Sequence, residues 1–288
     1  RRQRQMCIRD SPYAAEEGAV IWSGYWVDVS EARMQADALA AAKADAEQAA
    51  EAKSRFLATM SHEIRTPMSG VLGMLEVLAH SPLDSEQQRI LGVIEDSAQM
   101  LRQILDDILD YSRLEAGALR LEPVPQPLRP LLESVCRLLS AQASARGLAL
   151  HVQIDPELAP AHEVDGVRLR QIVFNLLSNA IKFTAQGEVR LQLEVLGPTS
   201  EDGVQPLCLS VTDTGIGIAP EQLQHLFAPF TQAGAYIQRD HGGTGLGLSI
   251  CQRLVQMMQG ELTLHSTLGE GTRAEAVSYT HLTLPTKA

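Results

Sequence analysis

The stretch Asp165-Gly-Val-Arg-Leu-Arg-Gln-Ile-Val-Phe-Asn-Leu-Leu-Ser-Asn-Ala-Ile-Lys-Phe-Thr184 predicts a long amphipathic helix. Asp165 is suited to start it, because a carboxylate at this position accepts hydrogen bonds from the free N–H groups of the first turn. Apolar residues recur at helical spacing and predict one buried face. That face consists of Leu169, Ile172, Val173, Leu176 and Ala180, and the opposite stripe consists of Gln171, Asn175, Asn179 and Lys182.

The polar stripe suits a phosphate ligand. The amide oxygen of Asn179 could complete a magnesium shell made mostly of water and phosphate oxygens. Lys182 would offset phosphate charge. A stripe of this kind is also typical of a solvated helix face, so other motifs must decide between the two interpretations.

Two glycine-rich motifs favour the nucleotide. Asp213-Thr-Gly-Ile-Gly-Ile218 follows a predicted strand over 207–211, and Gly242-Gly-Thr-Gly-Leu-Gly-Leu248 opens a predicted helix over 249–258. Glycine lets backbone N–H groups approach phosphates, and a helix N-terminus adds its dipole. Asp213 at a strand end can accept a hydrogen bond from an exocyclic amine, which indicates adenine.

The order of these motifs, with Phe227-x-x-Phe230 between the two loops, resembles the Bergerat ATP-binding fold. That fold is shared by histidine kinases, gyrase-type ATPases, heat-shock chaperones and mismatch-repair proteins. The resemblance covers residues 128–276 and implies ATP and Mg²⁺ as cofactors, with 230–242 as an ATP lid that is mobile until nucleotide binds. It assigns nucleotide binding to Asn175, Asn179, Lys182, Asp213, Gly215, Gly217, Phe230, Gly243, Thr244, Gly245 and Gly247, and the metal to Asn179.

One position separates a kinase from an ATPase within this resemblance. Relatives that hydrolyse ATP have a glutamate where Asn175 stands, and that glutamate is the general base for water. An amide has no usable basicity at that place. The γ-phosphoryl group is therefore spared for a better nucleophile.

A second stretch, Phe56-Leu-Ala-Thr-Met-Ser-His-Glu-Ile-Arg-Thr-Pro67, supplies a candidate nucleophile. The imidazole of His62 is largely neutral near pH 7, and Glu63 can accept the proton of the other ring nitrogen. Thr66 shares a helix face with His62. A histidine beside a carboxylate is common on protein surfaces. These residues in this order resemble the phospho-acceptor box of sensor histidine kinases over residues 54–117, and the resemblance implies that Thr66 positions water for dephosphorylating a response regulator.

Apolar residues around this box predict an antiparallel helical hairpin. Steps of four and three connect Leu57, Ser61, Ile64, Met68, Val71, Leu75 and Leu78, and again Ile90, Ile94, Ser97, Leu101, Ile104, Ile108 and Tyr111, with a turn at Ser81-Pro82. One hairpin cannot cover both stripes, so a homodimer that forms a four-helix bundle is expected. His62 lies one residue off the seam and is expected to face outward.

The N-terminal part reads as a sensor remnant followed by a connector. Val20-Ile-Trp-Ser-Gly-Tyr-Trp-Val-Asp28 alternates as a strand does and is similar to the last strand of a PAS domain, although an isolated edge strand fits too. Ser30 is a suitable cap for the helix that follows. Residues 32–55 are rich in strong helix formers, which fits a signalling coiled coil and a passive spacer about equally.

The two termini are interpreted as non-native. One oligonucleotide read on opposite strands encodes both 1–10 and 277–286, as a sequencing adapter would. The net charge of −11 becomes about −15 without these ends, and no basic run is present, which argues against nucleic acid as a partner. Cys136, Cys208 and Cys251 are isolated and fit a reducing compartment. No apolar run approaches bilayer length, so this part is expected to be cytoplasmic, with an anchor in the cytoplasmic membrane possible upstream.

The sequence thus predicts an α+β chain, in which a helical hairpin precedes a two-layer Bergerat domain. The expected boundaries are 1–11 and 277–288 for the non-native ends, 12–30 for the PAS-like remnant, 31–54 for the helical connector, 55–118 for the phosphotransfer hairpin, 119–130 for a linker and 131–276 for the ATP-binding domain. Because the last strand runs into the non-native end after Ala276, the sheet is expected to lack an edge.

The predicted function is autophosphorylation of His62 and transfer to an aspartate of a receiver domain, which hybrid kinases carry after this point. Two alternatives remain open from the sequence. One is a Bergerat-fold ATPase, and the other is a non-catalytic dimeric signalling module.

Overall fold

The computed structural model describes residues 6–14, 20–200, 202–231 and 244–281. Side chains are described from Asp28 onward, except at 46, 47, 50, 51, 53–58, 61, 62, 96 and 279–281. The side chain of His62, Gly243 and most of the predicted lid therefore lie outside the described residues. The chain divides into two compact units, Arg1–Phe56 and Leu57–Ala288. Within the described part, no helix is both long and apolar enough to span a bilayer.

The first unit begins with a two-stranded antiparallel sheet. Strand β1 (Met6–Ala14) pairs with β2 (Val20–Asp28), so part of the predicted non-native end is in a strand. Helix α1 (Ser30–Ala79) follows, and the Asp28 carboxylate accepts a hydrogen bond from the Ser30 N–H at 3.0 Å. The predicted strand over 20–28 is confirmed. Ser30 is the first residue of the helix rather than its cap, because the Arg33 N–H donates to the Val29 carbonyl oxygen at 2.9 Å.

Helix α1 and helix α2 (Ser85–Glu115) form the predicted hairpin. Asp84 starts α2 with a capping box, since its carboxylate accepts from the Gln87 N–H while the Gln87 amide oxygen accepts from the Asp84 N–H. A small cluster around Leu75, Leu91 and Ala98 is buried within the hairpin. Much of the predicted seam stays exposed in this single chain, namely Val71, Leu78, Ile90, Ile94 and Leu101.

The rest of the second unit is an α+β domain built on one five-stranded sheet. The sheet order is β4-β6-β7-β9-β8, with β4 parallel to β6 and the other pairs antiparallel. A separate antiparallel pair joins β3 and β5. In chain order the elements are β3 (Val124–Gln126), α3 (Leu128–Ala145), β4 (Ala149–Ile154), β5 (His162–Val164), α4 (Gly166–Phe183), β6 (Glu188–Val195), β7 (Val204–Asp213), α5 (Pro220–Leu223), α6 (Gly247–Met257), β8 (Glu261–Thr267) and β9 (Gly271–His281).

Helices α3, α4 and α6 contribute the helical side of one buried core. Val189 and Leu191 on β6 alternate with less buried neighbours, as expected of a strand with one face against helices. Leu132, Ile172 and Ile250 are among the largest fully buried side chains of the three helices. This packing fixes α4 against α6, and the predicted polar stripe lies on α4.

Two expectations about this domain differ from the structure. The predicted linker 119–130 contains β3 and the start of α3, because Pro125 lies in a short two-stranded pair and Pro130 lies in the first helical turn, where no N–H donor is needed. The expectation that the sheet lacks an edge is wrong. Strand β9 continues to His281, which pairs with Val204, and β8 forms the edge beyond it. The segment after Ala276, predicted to be non-native, is rich enough in strand-forming residues to continue the ladder.

Candidate nucleotide-binding site

Helix α4 holds three of the predicted nucleotide residues on one half-buried stripe. The Asp165 carboxylate starts this helix as predicted, since its Oδ1 accepts from the N–H groups of Val167 and Arg168, each at 3.1 Å. Asn175, Asn179 and Lys182 follow and are neither fully buried nor fully exposed. Half-buried amides next to a cation can bind a polar ligand without losing all contact with water.

The amide of Asn175 lies against the beginning of α6. A Cβ atom added to Gly247 would lie 3.3 Å from Asn175 Oδ1, so the glycine gives the amide room at the helix N-terminus. Cys251, one turn later on α6, is fully buried and interacts with the same amide. Burial raises the pKa of the Cys251 thiol to about 12, so this group is a neutral neighbour.

Asp213 is anchored at the end of β7. Its Oδ1 accepts hydrogen bonds from the Gly215 N–H at 2.8 Å and the Thr272 N–H at 3.3 Å. No hydrogen bond to its Oδ2 is found among the residues that the structure describes. Burial raises the pKa of Asp213, while the two backbone hydrogen bonds lower it. A fixed carboxylate with one available oxygen can accept from a ligand amine.

The two glycine loops are positions where larger residues do not fit. Gly217 has φ +65°, and a Cβ there would lie 2.0 Å from the carbonyl oxygen of Thr267. Gly245 has φ +68°, and its Cβ would lie 2.9 Å from backbone atoms of Phe230 and Thr231. These close approaches explain the glycines at both loops.

Lys182 lies at the end of α4 beside the first glycine loop. Its Nζ is 5.0 Å from the centre of the Phe183 ring, and the carbonyl oxygen of Phe183 limits the space at Gly215. Burial lowers the pKa of Lys182, and the nearby Arg146 guanidinium lowers it further. A partly desolvated cation gains more from an approaching phosphate than a fully hydrated one.

Two predicted nucleotide residues contact helix α2 of the hairpin. Thr244 Oγ1 donates a hydrogen bond of 2.8 Å to Asp107 Oδ2. The ring of Phe230 meets the ring of Tyr111 edge to face at 6.0 Å between centroids. Phe230 also has a positive φ of 62°, which is uncommon for a residue with a side chain.

A second contact joins α2 to the start of α4. Arg168 Nη1 and Gln171 Nε2 donate to Asp110 Oδ2 at 3.1 and 2.7 Å. The polar stripe on α4 is therefore divided, because Gln171 binds the hairpin while Asn175 lies against the start of α6. Sequence reasoning missed this contact, although the acidic residues Asp106, Asp107 and Asp110 at helical spacing were a signal for a polar surface on α2.

A cleft of about 440 Å³ lies between the hairpin and α4. Its lining includes Arg65, which forms an ion pair with Asp106, and also Asn175 of the amide stripe. Arg65 lies one turn after His62 on α1. The cleft therefore connects the neighbourhood of the histidine box with the amide stripe.

The described part of the histidine box is helical and accessible. Glu63 and Thr66 are exposed on α1, and the helix continues through Pro67. The outward orientation of the His62 side chain stays a prediction. Among the described residues, no group of three or more His, Cys, Asp or Glu side chains could hold a metal ion.

A helical hairpin beside an α+β domain with paired amides and two glycine loops defines an ATP-binding module of the Bergerat class. Residues 164–287 match the family model described as "Histidine kinase-, DNA gyrase B-, and HSP90-like ATPase". Residues 52–117 match the "His Kinase A (phospho-acceptor) domain". The chain carries the phospho-acceptor and ATP-binding domains of the sensor histidine kinases of two-component systems.

Individual proteins agree with this assignment. The chain is 41% identical to the autoinducer 2 sensor kinase/phosphatase LuxQ of Vibrio cholerae, over 86% of the chain and 28% of that protein. It is 44% identical to the signal transduction histidine-protein kinase BarA of Escherichia coli, over 80% of the chain and 25% of that protein. The chain therefore spans about a quarter of the length of these relatives. A crystal structure of full-length ShkA in complex with AMPPNP superposes with a TM-score of 0.63 at 33% identity, over 81% of this chain and 47% of that one.

Proposed function

We propose that this chain is the core of an ATP-dependent protein-histidine kinase that phosphorylates His62 and passes the phosphoryl group to an aspartate of a receiver domain. The observation that carries the proposal is the amide of Asn175 against the N-terminus of α6, where a hydrolysing relative would have a carboxylate. Without a base to activate water, the γ-phosphoryl group is available to an imidazole.

The residues of the site would act mainly by positioning and by neutralising charge. Asp213 would accept from the adenine amine, the two glycine loops would present backbone N–H groups to the phosphates, and Lys182 would offset negative charge. Asn179 would contribute an amide oxygen to Mg²⁺, which supplies further charge neutralisation when bound.

His62 would carry out the chemical step. One ring nitrogen forms a bond to the γ-phosphorus as the bond between that phosphorus and the bridging oxygen of ADP breaks. Glu63 takes the proton from the other ring nitrogen, so that the imidazolium does not accumulate. The phosphoryl group then moves from the nitrogen to a carboxylate oxygen of the receiver domain. A role of Thr66 in positioning a water molecule that hydrolyses the phosphorylated aspartate of the regulator is part of the same proposal.

The proposed partners are a second copy of this chain and a receiver domain. Val71, Ile94 and Leu101 lie 43–46% exposed along the hairpin, which is unusual for large apolar side chains of one stripe and supports burial in a dimer. The acidic charge of the chain gives no support to a nucleic acid partner. A cytoplasmic location for this part of the protein stays a prediction.

The experiment that tests the proposal uses ATP labelled in the γ-phosphate. The intact chain should incorporate label that is lost in acid and retained in base, as expected of a phosphorylated histidine. His62→Gln should abolish incorporation while retaining nucleotide binding, and Asn179→Ala should reduce both.

The alternatives predict other results. Phosphate release that persists at the full rate in His62→Gln would identify an ATPase. Nucleotide binding without any labelled protein would identify a non-catalytic signalling module.

A further inference from the structure

Helix α2 contacts the second glycine loop (residues 244–247) through one carboxylate. Asp107 is only 5% exposed, and its Oδ1 accepts from Gln103 Nε2 at 2.7 Å while its Oδ2 accepts from Thr244 Oγ1 at 2.8 Å. Thr244 Oγ1 in turn accepts from the Leu246 N–H at 3.1 Å. A chain of hydrogen bonds therefore runs from the hairpin to the first turn of α6.

These bonds engage donors that a phosphate would need. A hydroxyl group has one hydrogen, and Thr244 gives it to Asp107. The Leu246 N–H, directly before α6, is directed at Thr244 Oγ1. An anion at a helix N-terminus is held by such N–H and O–H groups. Docking on Asp107 and binding of phosphate therefore compete for the same hydrogens.

The negative charge on α2 also disfavours the binding of phosphate at this loop. Asp106 and Asp110 on the same stretch of α2 are paired with Arg65 and Arg168, so the charge that would repel a triphosphate near Thr244 is that of Asp107. Tyr111, one turn beyond Asp107, holds Phe230, whose N–H donates to the Gly245 carbonyl oxygen at 3.1 Å. Helix α2 therefore contacts both Phe230 and Thr244, and the backbone of Phe230 is hydrogen-bonded to Gly245, the residue after Thr244.

We propose that Asp107 is a positioning residue for the second glycine loop. Acting through the Thr244 hydroxyl, it holds the loop in a form that binds nucleotide weakly, and tight binding requires the Asp107–Thr244 bond to break. Docking of the ATP-binding domain on α2 and binding of nucleotide therefore oppose each other. This inference rests on the proposed function, because it assumes that the phosphates lie at the N-terminus of α6.

The test is the affinity of the full chain for AMPPNP with Mg²⁺, measured by isothermal titration calorimetry. Asp107→Ala should bind about tenfold more tightly, since one charge-assisted hydrogen bond no longer competes. Asp107→Asn preserves the shape and an acceptor but removes the charge, and it should give an intermediate affinity. Glu86→Gln removes a charge from the other end of the same helix and should leave the affinity unchanged.

A double-mutant cycle separates this role from a general effect on structure. In the Thr244→Val chain, Asp107→Ala should change the affinity by less than about twofold, because the carboxylate has lost the group through which it acts. In the Thr244→Ser chain, which keeps a hydroxyl, the tenfold effect should return. Damage to the fold would weaken binding, whereas this inference predicts tighter binding.

Two outcomes would overturn the inference. Equal or weaker binding by both Asp107→Ala and Asp107→Asn would reject the role of Asp107 alone. Failure of every chain, including the parent, to bind AMPPNP would reject the nucleotide site and the proposed function with it.

Discussion

Asn175 is the residue that we propose decides whether the γ-phosphoryl group goes to water or to His62. Because its amide lies against the N-terminus of α6, a carboxylate there would be placed near the terminal phosphate. Asn175→Glu should therefore release labelled phosphate into solution and lower phosphorylation of His62 by about tenfold or more, since a general base typically contributes at least that much. The measurement is the division of γ-label between free phosphate and protein.

The matched control for this prediction is Asn175→Gln, which has the same length as glutamate without its basicity. It should lower phosphorylation without raising phosphate release. Equal phosphate release by Asn175→Glu and Asn175→Gln would show that a carboxylate at this position does not activate water.

Gly217 allows a second prediction at a single residue. A Cβ would be 2.0 Å from the Thr267 carbonyl oxygen, and φ is +65°. Gly217→Ala should lower the free energy of unfolding by about 3 kcal/mol or more, because backbone must move as well as adopt a strained conformation. Urea unfolding followed by circular dichroism measures the loss.

Gly269 is the matched control for Gly217, since it has φ +85° but open space around its Cβ position. Gly269→Ala should cost about 1 kcal/mol from the backbone conformation alone. Similar losses in the two variants would show that steric contact at Gly217 is unimportant.

The candidate site residues that the sequence predicts are those with a local signature. Asn175 and Asn179 follow from helical spacing, and Gly245 follows from its place in a glycine-rich loop. The Thr244–Asp107 bond joins residues 137 positions apart, and no local pattern reports such a pairing. The sequence likewise predicts only a nucleotide-binding role for Phe230, because no local pattern reports the contact of its ring with Tyr111.

At the scale of helices and strands, periodicity predicted the long helices and strands β2 and β7, but not the pairing of the strands. The predicted helix after Asp165 begins at Gly166 and ends at Phe183, because cap, apolar face and length all agree. Strand β3 was not predicted, because Pro123 before it and Pro125 within it are typical of a linker. The place of β9 between β7 and β8 depends on contacts between distant strands, so the sequence could not supply it.

Strand β9 also borders a cavity whose effect on stability can be measured. Ser278, which lies in the predicted non-native end, borders an apolar cavity of about 60 Å³ between the sheet and helices α3, α4 and α6. Its hydroxyl donates to the Met258 carbonyl oxygen at the long distance of 3.4 Å. Ser278→Val should raise the free energy of unfolding by about 1 kcal/mol by filling this space, as measured by urea unfolding.

The control variant at this position is Ser278→Ala, which removes the hydroxyl without filling the cavity and should bring no comparable gain. If valine and alanine gave the same stability, the cavity would not be a source of instability.

At the scale of the whole molecule, the exposed apolar stripe of the hairpin predicts a homodimer. Ile94 is 43% exposed at the middle of the predicted seam. Ile94→Glu should convert the dimer into a monomer, because burying an unpaired carboxylate in a four-helix bundle costs several kcal/mol. Sedimentation velocity at micromolar concentration measures the change.

Leu196 is a matched control, since it is 53% exposed at the end of β6, away from the seam. Leu196→Glu should remain dimeric. A parent chain that sediments as a monomer, or an Ile94→Glu chain that remains a dimer, would contradict the predicted bundle.

The central claim is that the imidazole at position 62 receives the γ-phosphoryl group of ATP. The most direct measurement is mass spectrometry of the intact chain after incubation with ATP and Mg²⁺, digested under conditions that preserve phosphorylated histidine. We predict one added phosphoryl group, on the peptide that contains His62 and on its imidazole. ATP consumption with no phosphoryl group on that peptide, or a phosphoryl group on another residue, would contradict it.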